Sequence, residues 1–290
     1  MSVSFENQSS LLSRSGWRYE LSAAWRLAIK QWKVELSYPL SLLYFIVSPF
    51  LWLIPLLLFG YALTGSTTSS ALGQLTYTSD WFTYSALGFC FVSIIDSSLW
   101  GTGMAFRREQ WVGTLESLYA TPVGRVTILF GSSIHNIQHG GLGVLLQLGA
   151  ASLLFGLQLN LVGLLPALLA VGLMLLGLQG VVLFFACVVL VARRAWMAVE
   201  ALVSTIKLLT PMSYPLVVLP YSLQVIAQGV PTYHGLESFR QFLLLGPFSP
   251  SAWISIGLLL ILDVIVLLFG WVLFRVSDTY VRNRASLAKF

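Results

Sequence analysis

Four ionisable residues, Asp96, Glu200, Lys207 and Asp263, stand within or at the edge of long apolar runs. A charge at such depth in a membrane demands a partner, a bundle interior or a wet cavity. Two chemistries fit. One is a packing ion pair, with Lys207 facing Asp96 or Asp263. The other is a pathway lining or proton relay. The ion pair is the preferred reading. His135 and His139 follow at i and i+4, which places both imidazoles on one helix face, as a metal pair needs. No H-E-x-x-H pattern and no third ligand stands near them, so hydrogen bonding between helices or the lining of a wet cavity is the preferred reading. Cys90 and Cys187 lack the spacing of a metal or redox pair.

The segment RREQWVGTLESLYATPVGR, residues 107–125, is a dense polar insertion in a chain that is 57% hydrophobic and only 9% charged. Trp111, Leu115 and Leu118 recur at helical spacing, with Val112 and Tyr119 beside them, while Arg108, Glu109, Thr114 and Ser117 take other faces. Pro122 then prevents the helix from continuing. The pattern predicts a short amphipathic helix at a membrane surface. Such a helix can seat its apolar stripe in a groove of a soluble partner while its charges fix the register.

The elements that would position these groups are membrane helices. The apolar stretches do not alternate as barrel strands do, and a helix satisfies its own backbone in lipid. Six spans are expected, at about residues 39–63, 81–104, 127–155, 161–191, 196–219 and 251–274. Each is near or above the roughly 20 residues that a bilayer core requires. Residues 17–36 carry Trp17, Leu21, Trp25, Ala28 and Trp32 as a stripe, with Arg18, Arg26, Lys30 and Lys33 mostly off it, as in a helix lying in the membrane interface. The first apolar run begins too late, and is too long, for a cleavable signal peptide. The three parts expected are residues 1–38, a tail and interfacial helix; 39–275, a six-helix transmembrane domain; and 276–290, a tail.

The net charge of +5 reads as topology rather than nucleic-acid binding, because the basic residues flank the spans. With the N-terminus inside, 14 of the 16 Lys and Arg residues fall on the inner side, and only Arg240 lies outside, with Lys207 within a span. Both termini are therefore expected in the cytoplasm. Residues 220–250 form the long outer segment. Gly229 and Pro231 split it into two short, partly apolar helices expected to dip back toward the membrane.

The sequence from Glu109 to Arg125 resembles the "E…GTLE.L..TPV.R" segment of ABC-2 type transporter permeases, in particular the drug- and lipid-exporter branch. The match falls on Glu109, Gly113, Thr114, Leu115, Glu116, Leu118, Thr121, Pro122, Val123 and Arg125. TPMSYPLVVLP (residues 210–220) and GLESFRQFL (residues 235–243) resemble further segments of the family in the right order. GVPTYHGLE stands where family members often carry an "NP". The resemblance implies an all-α membrane protein with an interfacial helix, a cytoplasmic coupling helix and external re-entrant helices before the last span. It implies coupling to an ATPase subunit through Arg108, Glu109, Trp111, Gly113, Thr114, Leu115, Glu116, Leu118, Thr121, Pro122 and Arg125. It also implies an external gate around Tyr214, Pro215, Pro220, Glu237 and Arg240. If spans two and five line the pathway, Phe82, Phe89, Ser93, Asp96 and Lys207 are the lining candidates.

The chain contains no G-x-x-x-x-G-K-[ST] motif. ATP and Mg are therefore expected on separate ATP-binding subunits, two per complex, beside a second permease subunit, identical or related. No cofactor is expected in this chain. The function expected is the permease subunit of an exporter in a bacterial plasma membrane, moving an amphiphile (a drug, a lipid or a lipid-linked glycan) outward. The alternative is a proton-coupled secondary transporter using Asp96, Lys207 and Asp263. An intramembrane enzyme is disfavoured because no paired catalytic residues share a depth.

Overall fold

The computed structural model describes residues 16–114, 117, 120–121, 123–157, 159–191 and 195–283. Every regular element among them is helical; an isolated bridge joins Thr68 and Asp80. In chain order the helices are α1 (Trp17–Leu36), α2 (Pro39–Thr64), α3 (Ser70–Leu75), α4 (Trp81–Asp96), α5 (Ala105–Val112), α6 (Arg125–Phe155), α7 (Leu164–Val191), α8 (Ala195–Leu209), α9 (Tyr221–Gln228), α10 (Pro231–Leu245) and α11 (Pro250–Asn283). A π-helical turn, Ser97–Thr102, prolongs α4, and a 3-10 turn, Leu161–Gly163, precedes α7.

Five of these helices are long and apolar enough to cross a bilayer: Pro39–Thr64, Trp81–Thr102, Val126–Phe155, Leu161–Phe185 and Pro250–Val276. The fifth expected span, residues 196–219, is different. Its described helix is α8, of 15 residues, about 22 Å long at 1.5 Å per residue, short of a core of about 30 Å. Pro211, Pro215 and Pro220 lie beyond it, and each removes a backbone donor. The chain there runs through a 3-10 turn, Leu216–Val218, into α9. The two short helices expected in residues 220–250 are present as α9 and α10. The last helix runs to Asn283, past the candidate span that ends at Val276.

α1 is amphipathic in an unexpected way. Trp17, Leu21 and Trp25 are more than half exposed, whereas Ala24 and Ala28 are buried. Trp17 and Trp25 point away from the protein, as a membrane interface favours, whereas Trp32 turns toward α6, and the alanines let α1 lie close on α6. Gly131 of α6 completes that approach, since a Cβ there would meet the Ala24 carbonyl oxygen at 2.8 Å.

The core joins α4, α7, α8, α10 and α11. Phe91, Ile94 and Ile95 of α4, Met174 and Leu178 of α7, Val199 and Val203 of α8, Leu236, Phe239 and Phe242 of α10, and Leu259 of α11 are all buried in one cluster. α7 and α11 approach through glycines, as membrane helices often do. A Cβ on Gly270 would meet the Gly180 carbonyl oxygen at 2.1 Å. α2 is the outlier. It is exposed over most of its length and is anchored through Leu53, which packs with Phe82, Ala150 and Ala151.

Candidate functional site

The charged segment and α1 meet at one end of the bundle. Glu20 accepts hydrogen bonds from the Thr127 hydroxyl and from the Gly124 N–H, the latter at 3.3 Å. Lys30 Nζ lies 3.0 and 3.1 Å from the two carboxylate oxygens of Glu109, and the Thr114 hydroxyl donates to Glu109 Oε2 at 2.5 Å. Burial raises the Glu109 pKa, but the Thr114 and Lys30 hydrogen bonds and the Lys30 charge outweigh it, so the net shift is downward. Gly113 follows α5 at φ +76°, a left-handed conformation that favours glycine. Trp111 and Val112 project outward, 71% and 70% exposed. Leu115, Glu116, Leu118 and Pro122 lie outside the described residues, and Arg125 begins α6.

One turn along α1, Glu35 bridges the two histidines of α6. Its Oε2 lies 3.0 Å from His135 Nε2 and its Oε1 lies 3.0 Å from His139 Nε2. Burial pushes the Glu35 carboxyl up, but the hydrogen bonds and charges of the two histidines more than offset it, bringing it to about 2. Gln31 donates to Ser132 Oγ at 2.9 Å, and Trp32 Nε1 donates to Gln138 Oε1 at 2.7 Å. Among the described residues no cluster of three or more His, Cys, Asp or Glu has the arrangement of a metal site. The histidines hydrogen-bond between helices, the reading preferred from sequence.

These contacts wall a cavity of about 740 Å³ between α1, α2, α4, α5 and α6. Three of the lining candidates, Phe89, Ser93 and Asp96, border it. Phe82 does not: it is buried with Leu53 against Phe155. Lys207 holds Asp96 instead, its Nζ 2.7 Å from Oδ1 and 2.9 Å from Oδ2. Of the two carboxylates offered as its partner, Asp96 is the one taken. Asp263 is buried against Gly177, and neither of its oxygens has a hydrogen-bond partner among the described residues. Glu200 is exposed and accepts from Ser204 at 3.3 Å.

The π-helical turn adds to this cavity. Such turns widen a helix and recur at functional positions. Here the turn sets Gly101 against the Asn136 side chain, whose Nδ2 donates to Thr102 Oγ1 at 2.9 Å. Trp100 and Gly101 thereby face the cavity with Asn136.

At the opposite end, Arg240 of α10 is fully buried. Its Nε donates to the Tyr84 carbonyl oxygen at 3.1 Å, its Nη1 to that of Pro211 at 2.8 Å and its Nη2 to that of Met212. Glu237 accepts from Gln241 at 2.8 Å. The Tyr214 hydroxyl donates to the Leu208 carbonyl oxygen, and Tyr84 reaches the Tyr214 carbonyl at 3.5 Å. Pro215 and Pro220 stand at the starts of the 3-10 turn and α9. Of the gate candidates, Tyr214 and Arg240 thus meet around the end of α8.

Sequence reasoning passed over Glu35. The signal was present: Glu20, Ala24, Gln31 and Glu35 recur at helical spacing on one face of α1, small or polar throughout, and that face meets α6. Trp17 and Trp25 drew the eye to the other side.

Among curated proteins, none matches the chain. A family model described as "ABC-2 type transporter" matches residues 23–244. That interval takes in α1 from Ala23 onward, the charged segment, the cavity and Arg240. Members of this family are membrane permease subunits that carry no ATPase of their own and normally pair with ABC ATP-binding subunits. This multi-pass helical chain belongs to the ABC-2 type transporter family.

Proposed function

We propose that this chain is the permease subunit of an ABC exporter, driven by separate ATPase subunits that bind ATP and Mg. Residues 107–125 are the coupling segment, and the cavity beside them takes an amphiphilic cargo from the inner leaflet or cytoplasm. The observation that carries the reading is mechanical: Lys30–Glu109 and the bonds of Glu20 tie the charged segment to α1 and α6, two walls or supports of the cavity. A push on Trp111 and its neighbours is thereby delivered to the cavity through short polar links.

The complex contains two permease and two ATPase subunits in a bacterial plasma membrane. Both termini are cytoplasmic, α8 with the segment after it makes the sixth crossing, and the segment around Arg240 forms the external gate. The proton-coupled alternative is weakened because Asp96 and Lys207 neutralise each other. The test is co-purification with an ABC ATPase subunit expressed alongside. Glu109→Ala and Arg125→Ala are expected to lower ATPase recovery or substrate-stimulated hydrolysis. Transport by the purified chain alone under a proton gradient would overturn the proposal.

A further inference from the structure

The cavity wall has a chemistry that the exporter reading leaves open. At about 740 Å³ it falls within the roughly 300–1,000 Å³ typical of small-molecule sites. Its lining changes with depth. Near the charged segment stand Lys30, Glu35, Arg108 and Glu109; deeper lie Phe45, Phe89, Ser93 and Gln147. From Gly101 back to Phe89, and from His135 to Gln147, the wall runs about 18 Å at 1.5 Å per residue, more than half of a bilayer core. Tyr38 and Tyr44, 63% and 62% exposed, form the thin wall contributed by the end of α1 and the start of α2.

Two features select the ligand. First, most of the ionised groups on the wall are already matched. Lys30 holds Glu109, Glu35 holds both histidines, and Lys207 holds Asp96; Arg108, near the charged segment, lies in the field of Glu109 and Glu35, so the two cations there face two carboxylates. A charged ligand would enter a low-dielectric space where these counter-charges are engaged, and its lost hydration would go uncompensated. Second, uncharged hydrogen-bonding groups remain available. Gln147 is 5% exposed, lines the cavity and makes no side-chain hydrogen bond among the described residues; Ser93 shares its level. Gly143 makes room for that serine, since a Cβ there would meet Ser93 Oγ at 2.4 Å. Aromatic faces stand beside these groups at Phe45, Phe89 and Trp100, whereas long aliphatic side chains are scarce: Val34, Val92 and Val112 are the aliphatics.

We infer that this cavity, lying within a single subunit, binds the uncharged, hydroxyl-rich head of a membrane amphiphile, with Gln147 and Ser93 as hydrogen-bonding residues and Phe89 and Trp100 as ring-stacking surfaces. The alkyl chain leaves past Tyr38 and Tyr44 into the bilayer. Hydroxyls satisfy the serine and amide groups without bringing charge, and the C–H faces of a sugar-like ring suit the aromatics. The inference names the cargo class for the site that the exporter reading assigns and rests on that reading.

The test uses the full chain in lipid nanodiscs with three brominated twelve-carbon probes: dodecyl maltoside, dodecanoate and dodecyltrimethylammonium. Binding is read as tryptophan quenching that disappears in Trp100→Phe. The maltoside is expected to bind at least about ten-fold more tightly than either charged probe. Gln147→Leu is expected to weaken the maltoside about ten-fold, the effect of one lost hydrogen bond, and to leave the charged probes unchanged. Ser93→Ala, a milder change, is expected to weaken it by a few-fold. Free maltose is not expected to displace the probe. Equal binding of a charged probe, displacement by maltose, or unchanged maltoside affinity in both folded variants would overturn the assignment. These arms need no ATPase subunit. Selective maltoside binding without any stimulation of ATP hydrolysis in the assembled complex would instead count against the exporter reading.

Discussion

Arg240 lies over the ring of Tyr84, its Cζ 3.7 Å from the ring centroid, while its Nε bonds the carbonyl oxygen of the same residue. One side chain thus fixes α10 to α4 and, through Pro211 and Met212, to the end of α8. Arg240→Ala would leave three buried carbonyls without their donor, each worth about 1 kcal/mol or more. A loss of about 3 kcal/mol or more is expected, seen as a lowered Tm of the reconstituted protein. Arg240→Lys, which cannot fork its donors, is expected to recover only part of it. An unchanged Tm in Arg240→Ala would remove its structural role.

The Lys207–Asp96 pair predicts non-additivity. Lys207→Gln alone strips Asp96 of its counter-charge, and Asp96→Asn alone does the converse. The double variant is expected to lie closer to the unaltered protein in stability than the sum of the singles, with a coupling of at least about 0.5 kcal/mol. Additive effects in a double-mutant cycle would mean that the contact contributes nothing.

Gly270 and Gly180 set the separation of α7 and α11. Gly270→Leu forces the helices apart at a point where even a methyl would touch backbone. The expected outcome is a loss of about 1–3 kcal/mol, or failure to assemble. Gly257, with no atom within 4 Å of a Cβ built on the same helix, is the control, and Gly257→Ala is expected to be neutral or slightly stabilising.

Glu35 gives a pH dependence with a definite sign. Its carboxyl is held down to about 2 from an ordinary 4.5. The contribution it makes by clasping His135 and His139 is therefore fully present above about 4.5 and is lost as pH falls toward about 2. The difference in Tm between the unaltered protein and Glu35→Gln is expected to shrink across that interval. A difference independent of pH over the same range would show that the clasp adds no stability through its ionised form.

Much of this architecture was legible in the sequence, because long apolar runs leave a membrane helix little alternative. The split of residues 220–250 at Gly229 and Pro231, and the meeting of Lys207 with a carboxylate, followed from the same reasoning. What escaped was direction. Periodicity marks a stripe without saying which side it faces, so Trp17 and Trp25 turned outward while Ala24, Ala28 and Trp32 turned toward α6. Nor does it say where residues distant in the chain converge. Arg240 stood as an isolated outer charge by sequence, and only packing reveals it as buried. Phe82 and Phe89 share one apolar helix, two turns apart; one fills the core and the other borders the cavity. The shortness of α8 was foreshadowed by Pro211, Pro215 and Pro220, but an apolar run reads as continuous even where its backbone is not.

The bond between Tyr84 and Arg240 joins residues 156 positions apart, and this has a consequence for how the protein is made. A ribosome has threaded most of the chain into the membrane before the guanidinium that ties these segments together exists. Until then the early helices are present without their keystone. Membrane insertion of the first segments and consolidation of the bundle are thus separate events in time, and a nascent chain truncated before residue 240 is expected to remain sensitive to membrane quality-control proteases that the finished protein resists.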